Sequence, residues 1–236
     1  DEENIIYAVG GDGTLSEVLN GVVGTKNKIG IIPAGSGNDF YRTVKELGKT
    51  EIESDVGVVN GKYFLNIACV GIDAEVANNV PLMKKKNVKV KNLYTASILY
   101  TFTHFKFKQI HFKSQEKDEK GNFTILSICN GRYYGGGYNI SPKASLEDNY
   151  FDVYYINKLR LSSIINLLLK LKKGKLEQDK RTNHFKTNNI TVTSEEPIRF
   201  NVDGETIENT KFEIKIIPKA IKIYHNAELE SKFLSV

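Results

Sequence analysis

Ala8-Val9-Gly10-Gly11-Asp12-Gly13-Thr14-Leu15-Ser16-Glu17 follows a short apolar run that begins at Ile5. Its glycines are crowded into the four positions 10–13, and apolar residues then recur at helical spacing. This pattern predicts a strand, a tight turn and a helix. Glycine lets the backbone approach a ligand closely, and the free N–H groups at a helix start favour an anion. The stretch therefore predicts a phosphate-binding turn.

Asp12 lies inside this turn, and the sequence leaves three roles open for it. Its carboxylate could bind a metal, order the loop or pair with a hydroxyl of a ligand. A second glycine-rich turn, Pro33-Ala34-Gly35-Ser36-Gly37-Asn38-Asp39-Phe40, follows the next apolar run. Turns at the carboxyl ends of neighbouring parallel strands converge on one crevice. We expect one ligand site there, the alternative being two ordinary strand-to-helix turns.

The chain has 236 residues, which is enough for two domains that each bury a core. Residues 1–54 alternate strand and helix, so we expect an α/β nucleotide-binding domain with a parallel sheet, joined by the tail 226–236. Residues 55–225 read as short strands, with Asn60-Gly61 as a hairpin signal, and predict a mainly-β antiparallel sandwich. The first strand has no partner before it, so we also expect upstream residues to be missing from the first domain.

The charge balance is mildly basic, with 33 Lys and Arg against 28 Asp and Glu, a net charge of +5. This suits an anionic substrate or an anionic membrane surface and is too weak to indicate nucleic acid. The lysine-rich segment 84–91 reads as a solvated surface or as a contact with anionic lipid head groups. Cys69 and Cys129 lie in apolar runs and read as reduced core residues of a cytoplasmic protein.

Two later stretches carry clustered carboxylates. Residues 144–150 could hold a hard cation through oxygen ligands, or form a plain polar turn. Asn201-Val202-Asp203-Gly204-Glu205 offers two carboxylates, either of which could act as a general base, although Asp-Gly also suits a plain hairpin. The histidines are scattered, and no serine elbow or zinc cluster is present in the sequence. An anion site with separate carboxylates favours phosphoryl transfer.

With these motifs together, the chain resembles the diacylglycerol kinase catalytic family, in its soluble bacterial lipid kinase branch. GGDGT at residues 10–14 by itself assigns the chain only to a superfamily that includes NAD kinases, sphingosine kinases and phosphofructokinases. The narrower resemblance is cumulative and follows the family's order along nearly the whole chain. Its segments are the second glycine-rich turn at 33–40, then 66–76, 130–137, 142–152 and 201–205.

The resemblance implies an ATP- and Mg²⁺-dependent kinase acting on a membrane lipid such as diacylglycerol, in peripheral contact with an anionic membrane. Glu205 would be the general base, Asp12 would lie near the nucleotide and its magnesium, and Asp39 would join an acidic network around magnesium. A structural magnesium would be bound by Ser145, Asp148 and Tyr150, the first and last through carbonyl oxygens. The residues implied for the nucleotide are Gly10, Gly11, Asp12, Gly13, Thr14, Leu15, Ser16, Ser36 and Asn38.

Two departures from the family pattern concern the turn at residue 149 and the start of the chain. Asn149 replaces the usual glycine, and asparagine tolerates left-handed backbone geometry. The family's first strand-helix-strand portion has no counterpart here. An NAD kinase-like enzyme and a catalytically silent lipid-binding module stay as alternatives. The sequence does not choose the lipid acceptor, and it leaves a homodimer open.

Overall fold

The computed structural model describes residues 2–71, 75, 79, 83, 85, 96, 97, 100, 101, 104–160 and 163–234. The sequence also predicts a helix from Leu93 to Phe105, and most of that helix lies outside these residues. Most of the lysine-rich segment 84–91 lies outside them as well. Lys85 is the one lysine of that segment inside them, and it is exposed. Among the described residues, no helix has both the length and the apolar character needed to cross a bilayer.

The first unit alternates strand and helix, as the glycine-rich turns predict. It contains β1 (Ile5–Gly10), α1 (Asp12–Val22), β2 (Lys28–Pro33) and α2 (Asp39–Leu47). β1 and β2 are parallel, and α1 buries its apolar stripe of Leu15, Leu19 and Val22. α2 ends at Gly48, whose φ of 63° is the left-handed geometry that glycine adopts most easily.

Antiparallel strands dominate the rest of the chain. The strands are β3 (Glu51–Val59), β4 (Lys62–Phe64), β5 (Ile67–Gly71), β6 (Ile110–Lys113), β7 (Asp118–Gly121), β8 (Phe123–Cys129), β9 (Tyr133–Tyr134), β10 (Tyr138–Asn139), β11 (Phe151–Asn157), β12 (Asn183–Thr187), β13 (Asn189–Val202) and β14 (Glu205–Tyr224). Among the described residues, the helices that accompany them include α3 (Ile164–Lys172) and α4 (Ala227–Leu234). The predicted fold class, an α/β unit followed by a β-sandwich, is confirmed.

β14 joins the two units. Its first part pairs with β13 and its last residues pair in parallel with β2, where Lys222 lies opposite Lys28. β3 runs antiparallel along the same strand and crosses the predicted boundary at residue 54 without a break. Within the part of the chain that the structure describes, the main sheet has 12 strands, with the central order β1-β2-β14-β13-β5-β8-β11-β12.

Each unit has its own apolar core. One cluster gathers α1, α2 and β2 around Leu19, Ile29 and Phe40, and a larger one fills the sandwich around Phe112, Phe200 and Phe212. Cys69 and Cys129 are buried and form no disulfide, in agreement with the sequence interpretation.

Asn60-Gly61 forms the predicted hairpin turn, since both residues have positive φ, 48° and 86°, as a two-residue hairpin requires.

One strand prediction is wrong. The apolar run from Tyr63 to Val70 predicts a single strand, but the structure interrupts it between β4 and β5. The reason is that the N–H groups of Leu65 and Asn66 donate to the carboxylate of Asp203 instead of to a neighbouring strand.

Candidate functional site

The two glycine-rich turns touch each other. Gly10 and Pro33 are partners in the parallel β1–β2 ladder, and Ala34 N–H donates to Gly10 O at 2.9 Å. A Cβ atom added to Gly35 would lie 2.4 Å from Gly11 Cα, so only glycine permits this approach. The two turns therefore meet, as the sequence predicts, and a ligand site between them stays a prediction.

Asp12 orders the second turn. Its two carboxylate oxygens accept the N–H groups of Asp39 and Phe40, both at 3.1 Å, which satisfies donors at the start of α2. Asn38 precedes them with a φ of 54°, and its side-chain amide pairs with both N–H and C=O of Gly35. Of the three roles left open for Asp12, loop ordering is therefore the one this geometry displays.

Asp39 is buried and connects the first unit to the glycine run that follows β9. Its carboxylate accepts the N–H groups of Gly136 and Gly137 at 2.8 and 2.7 Å. Burial, followed by the charge of Asp12, raises the pKa of Asp39 to about 6, against the opposing effect of the two N–H donors. The acidic group predicted at residue 39 thus lies where both units meet.

The other residues predicted for the nucleotide divide into exposed and buried groups. Gly13, Thr14 and Ser36 are exposed at the two turns, where a phosphate could approach them. Leu15 and Ser16 are buried. Leu15 packs in the core of the first unit, and the Ser16 hydroxyl has no hydrogen-bond partner among the described residues. Leu15 and Ser16 are therefore not available to a ligand through their side chains in this conformation.

The turn between β13 and β14 is anchored by Asp203. Asp203 and Gly204 have positive φ, 47° and 92°. The Asp203 carboxylate accepts the N–H groups of Leu65 at 2.7 Å, Asn66 at 3.1 Å and Ile67 at 2.9 Å. Burial of this carboxylate, with a smaller contribution from the charge of Asp12, raises its pKa to about 6. Asp203 is therefore a structural carboxylate that lies within electrostatic reach of the first glycine-rich turn.

Glu205 is the accessible carboxylate of this turn. It opens β14, its side chain is 52% exposed, and it forms an ion pair with the ammonium group of Lys62 on β4. The residues alone left Asp203 and Glu205 open as general bases, and the family resemblance implied Glu205. Since the oxygens of Asp203 are occupied by backbone donors, the geometry favours Glu205.

Residues 144–150 form a turn rich in oxygen atoms. Asp148 Oδ1 accepts Tyr150 N–H at 3.2 Å, and Oδ2 accepts Lys186 Nζ at 2.7 Å. Asn149 has a φ of 61°, so the left-handed geometry expected at this position is present. The described ranges contain no group of three or more His, Cys, Asp or Glu residues able to hold a metal.

A magnesium ion at this turn would depend on one carboxylate and on carbonyl oxygens. Hard oxygen donors of this type suit Mg²⁺, so the donor chemistry of Ser145, Asp148 and Tyr150 fits the ion. The ammonium group of Lys186 holds one Asp148 oxygen, and a cation bound there would have to displace it. Magnesium binding by these residues stays a prediction.

Asp55 was missed by the sequence interpretation. It is 1% exposed, and its carboxylate accepts Asn149 N–H at 2.6 Å and Lys219 N–H at 2.9 Å. Burial raises its pKa. Asp55 thus ties the 144–150 turn to the bend of β14 at Lys219, whose φ is 48°. The only sequence signal for Asp55 was its place as a single acidic residue directly before the apolar run 56–59.

A cavity of about 450 Å³ opens in the sandwich beside the β13–β14 pair. Its wall includes the buried apolar residues Val70, Ile110, Phe123 and Ile198. Charged side chains also line it: Glu75, Lys106, Lys108, Arg199 and Glu208. Arg199 is the register partner of Glu208, and Val202 is the partner of Glu205. The cavity therefore lies about 10 Å along the strand pair from Glu205, at about 3.3 Å per residue.

Two family models match this chain and together cover most of it. Residues 66–225 match the YegS C-terminal NAD kinase beta sandwich-like domain. Residues 1–69 match the diacylglycerol kinase catalytic domain. The order of the two matches along the chain is that of the two structural units.

Relatives with similar sequences carry lipid kinase names. The chain is 29% identical over 218 residues to "Diacylglycerol kinase" of Bacillus subtilis (strain 168), covering 86% of this chain and 72% of the relative. It is 28% identical over 235 residues to "Probable lipid kinase YegS-like" of Alcanivorax borkumensis, covering 93% of this chain and 78% of the relative.

The fold also resembles a crystal structure from Bacillus anthracis str. Sterne that is named for diacylglycerol kinase. The TM-score is 0.76 at 23% sequence identity, and the match covers 95% of this chain and 79% of the other. At this identity the likeness supports the fold alone.

Proposed function

Since this chain belongs to the family that joins a diacylglycerol kinase catalytic domain to a YegS-type C-terminal sandwich, we propose that it is an ATP- and Mg²⁺-dependent lipid kinase. Its acceptor in this proposal is the hydroxyl of diacylglycerol or of a related lipid alcohol. The relatives with lipid kinase names support the general reaction. The nucleotide, the metal and the acceptor belong to the proposal.

One observation carries the proposal: the turn that bears Glu205 lies within electrostatic range of Asp12 in the first glycine-rich turn. The charge of Asp12 contributes to the raised pKa of Asp203, which is two residues before Glu205. Asp12 in turn holds the start of α2 through Asp39 and Phe40. A candidate base near a candidate phosphate site supports the proposal, because phosphoryl transfer needs both groups close to the reacting atoms.

In the proposed reaction, backbone N–H groups of residues 10–13 and the start of α1 bind the phosphates of ATP. The oxygen of the acceptor hydroxyl forms a bond to the γ-phosphorus while the bond from that phosphorus to the ADP oxygen breaks. Glu205 accepts the proton of the hydroxyl. Magnesium, when bound, neutralises negative charge, and Asp148 with the carbonyls of Ser145 and Tyr150 would hold the structural ion.

The cavity beside β13 supports a lipid acceptor. Its apolar wall at Val70, Ile110 and Ile198 suits an acyl chain, and its charged side chains suit the polar end of a lipid. Lys106 and Lys108 are exposed next to it. Lysines in this position attract an anionic membrane surface, so we propose peripheral membrane contact at this side of a cytoplasmic protein.

Transfer of labelled phosphate from ATP to diacylglycerol in mixed micelles tests the proposal with the intact protein. We expect the wild type to phosphorylate the lipid and Glu205→Gln to lose about 10²-fold or more in kcat, the range for a lost general base. Glu213→Gln is the matched control, because Glu213 is also exposed on β14 and paired with a lysine, Lys211. It should keep wild-type turnover.

The same assay separates the alternatives. Phosphorylation of NAD in place of lipid would make the protein an NAD kinase-like enzyme. Binding to anionic vesicles without turnover of ATP on any lipid would make it a silent lipid-binding module. Equal rates for wild type and Glu205→Gln would remove Glu205 from the base role.

A further inference from the structure

We propose that Lys62 is a positioning residue for Glu205 in the phosphoryl transfer. Its ammonium group forms an ion pair with the Glu205 carboxylate and so fixes where the proton-accepting oxygens lie. This inference rests on the proposed function, because it assigns Lys62 a part in the step in which Glu205 takes the proton of the acceptor hydroxyl.

The ion pair is one of several contacts between the segment that starts with β4 and the turn that contains Asp203 and Glu205. Lys62 is the first residue of β4, and β4 ends directly before the residues whose N–H groups bind the Asp203 carboxylate. The turn that presents Glu205 is thus held by backbone donors at its Asp203 end and by Lys62 at its Glu205 end. Because the backbone is already fixed by Asp203, the freedom left is that of the Glu205 side chain, and Lys62 restricts it.

β4 is also fixed to the helix that follows the first glycine-rich turn. The side-chain amide of Asn20 on α1 accepts Tyr63 N–H at 3.2 Å and donates to Tyr63 C=O at 3.3 Å. α1 begins at Asp12. β4, which contains Lys62, is therefore fixed relative to the first glycine-rich turn. Through its ion pair, Lys62 fixes the Glu205 carboxylate relative to the same turn.

Folding stability alone does not account for the pair. The side chains of Lys62 and Glu205 are 24% and 52% exposed. Ion pairs with this much solvent around them contribute little to stability because water screens the charges. The position of a general base, by contrast, affects the rate strongly, since small misplacements of reacting groups are costly.

The test measures kcat and KM for ATP and diacylglycerol in the intact protein carrying Lys62→Met, Lys62→Arg, Glu205→Gln or Lys62→Met with Glu205→Gln. We expect Lys62→Met to lower kcat by about 10- to 100-fold with both KM values within about threefold of wild type. Lys62→Arg should recover most of kcat. The double variant should match Glu205→Gln alone, because a residue that acts through Glu205 has no effect once Glu205 is removed.

Lys211→Met is the control, since Lys211 forms an exposed pair with Glu213 on the same strand as Glu205 and should keep wild-type kinetics. Thermal unfolding midpoints of all variants should stay close to wild type. Unchanged kcat in Lys62→Met, or a rise in KM alone, would overturn the inference while leaving the lipid kinase proposal intact. Wild-type turnover in Glu205→Gln would overturn the base assignment, and the role of Lys62 with it.

Discussion

The carboxylate of Asp12 accepts the backbone N–H of Phe40 at 3.1 Å, across 28 residues of chain. Its other oxygen accepts the N–H of Asp39 at the same distance. An acidic residue in the first glycine-rich turn thus serves as the cap of the helix that follows the second turn. The two turns form one structural unit through this side chain.

Asp12→Ala should destabilise the protein by about 0.5 to 2 kcal/mol, the range for loss of a helix cap. Asp12→Asn should cost less, because its amide oxygen still accepts one N–H. Urea unfolding followed by circular dichroism measures both. Glu17→Ala, an exposed position on α1, is the control and should stay close to wild type. Equal stability of Asp12→Ala and Glu17→Ala would contradict a capping role.

Gly35→Ala should destabilise the protein by about 1 to 3 kcal/mol, the usual cost of forcing atoms into a packed region. The reason is that its Cβ would lie 2.4 Å from Gly11 Cα and 2.9 Å from Gly11 N, both backbone atoms. Gly13→Ala meets no atom within 4 Å and lies inside α1, so it should be neutral or stabilising. Thermal unfolding of the two variants gives the comparison, and a larger loss in Gly13→Ala would refute the packing argument.

Stability should fall as the pH rises from about 4 to about 6. Asp203 has an ordinary pKa of 3.8 and a folded-state pKa of about 6, so between these values the folded chain binds the proton more tightly than the unfolded chain. The stabilisation is present below the lower pKa and is lost as the pH passes the higher one, at up to about 1.4 kcal/mol per pH unit for one group. The pKa of Asp39 is also raised to about 6, so its titration lowers stability over the same pH range.

Denaturant unfolding of wild type and Asp203→Asn at half-unit pH steps measures this effect. The variant lacks the contribution of residue 203 and should show a shallower decline through the same window. Asp118→Asn alters an exposed carboxylate whose pKa is lowered by His111 and Lys113, so it should leave the decline unchanged. Parallel profiles for wild type and Asp203→Asn would rule out the assigned titration.

Magnesium should stabilise Lys186→Met more than wild type. In wild type the cation competes with the Lys186 ammonium for Asp148 Oδ2, and the variant removes that competitor. A ligand that binds only the folded state raises the unfolding temperature, and the rise grows with the ligand concentration relative to its Kd. Thermal unfolding with increasing MgCl₂, with NaCl at matched ionic strength, gives the shift.

The double variant Lys186→Met with Asp148→Asn is the control for that titration. It should lose the added magnesium response because the carboxylate ligand is gone. Identical shifts in wild type, Lys186→Met and the double variant would place the magnesium response elsewhere in the protein.

Local chemistry made much of the fold predictable. The glycine-rich turns and Asn60-Gly61 each require a backbone geometry that few residues adopt, so their sequence signals are strong. Convergence of the turns at 10–13 and 33–40 followed from the rule that parallel strands present their carboxyl ends at one edge. These features depend on neighbours along the chain or on one strand pair.

The missed features depend on contacts between distant residues. Asp55 binds N–H groups that are 94 and 164 residues away, and nothing in its immediate neighbours indicates those partners. The structural role of Asp203 likewise depends on β5, which begins opposite Asp203 and 136 residues earlier in the chain. The pairing of Lys186 with Asp148 spans 38 residues and belongs to the same class.

The continuity of β14 affects how the protein unfolds. This strand runs from Glu205 to Tyr224 and hydrogen-bonds to β13, β3 and β2. If either unit unfolds, β14 loses hydrogen-bond partners, and the other unit also depends on β14. We therefore expect a single cooperative transition seen alike by far-ultraviolet and tyrosine signals, and protease cleavage that yields no stable half.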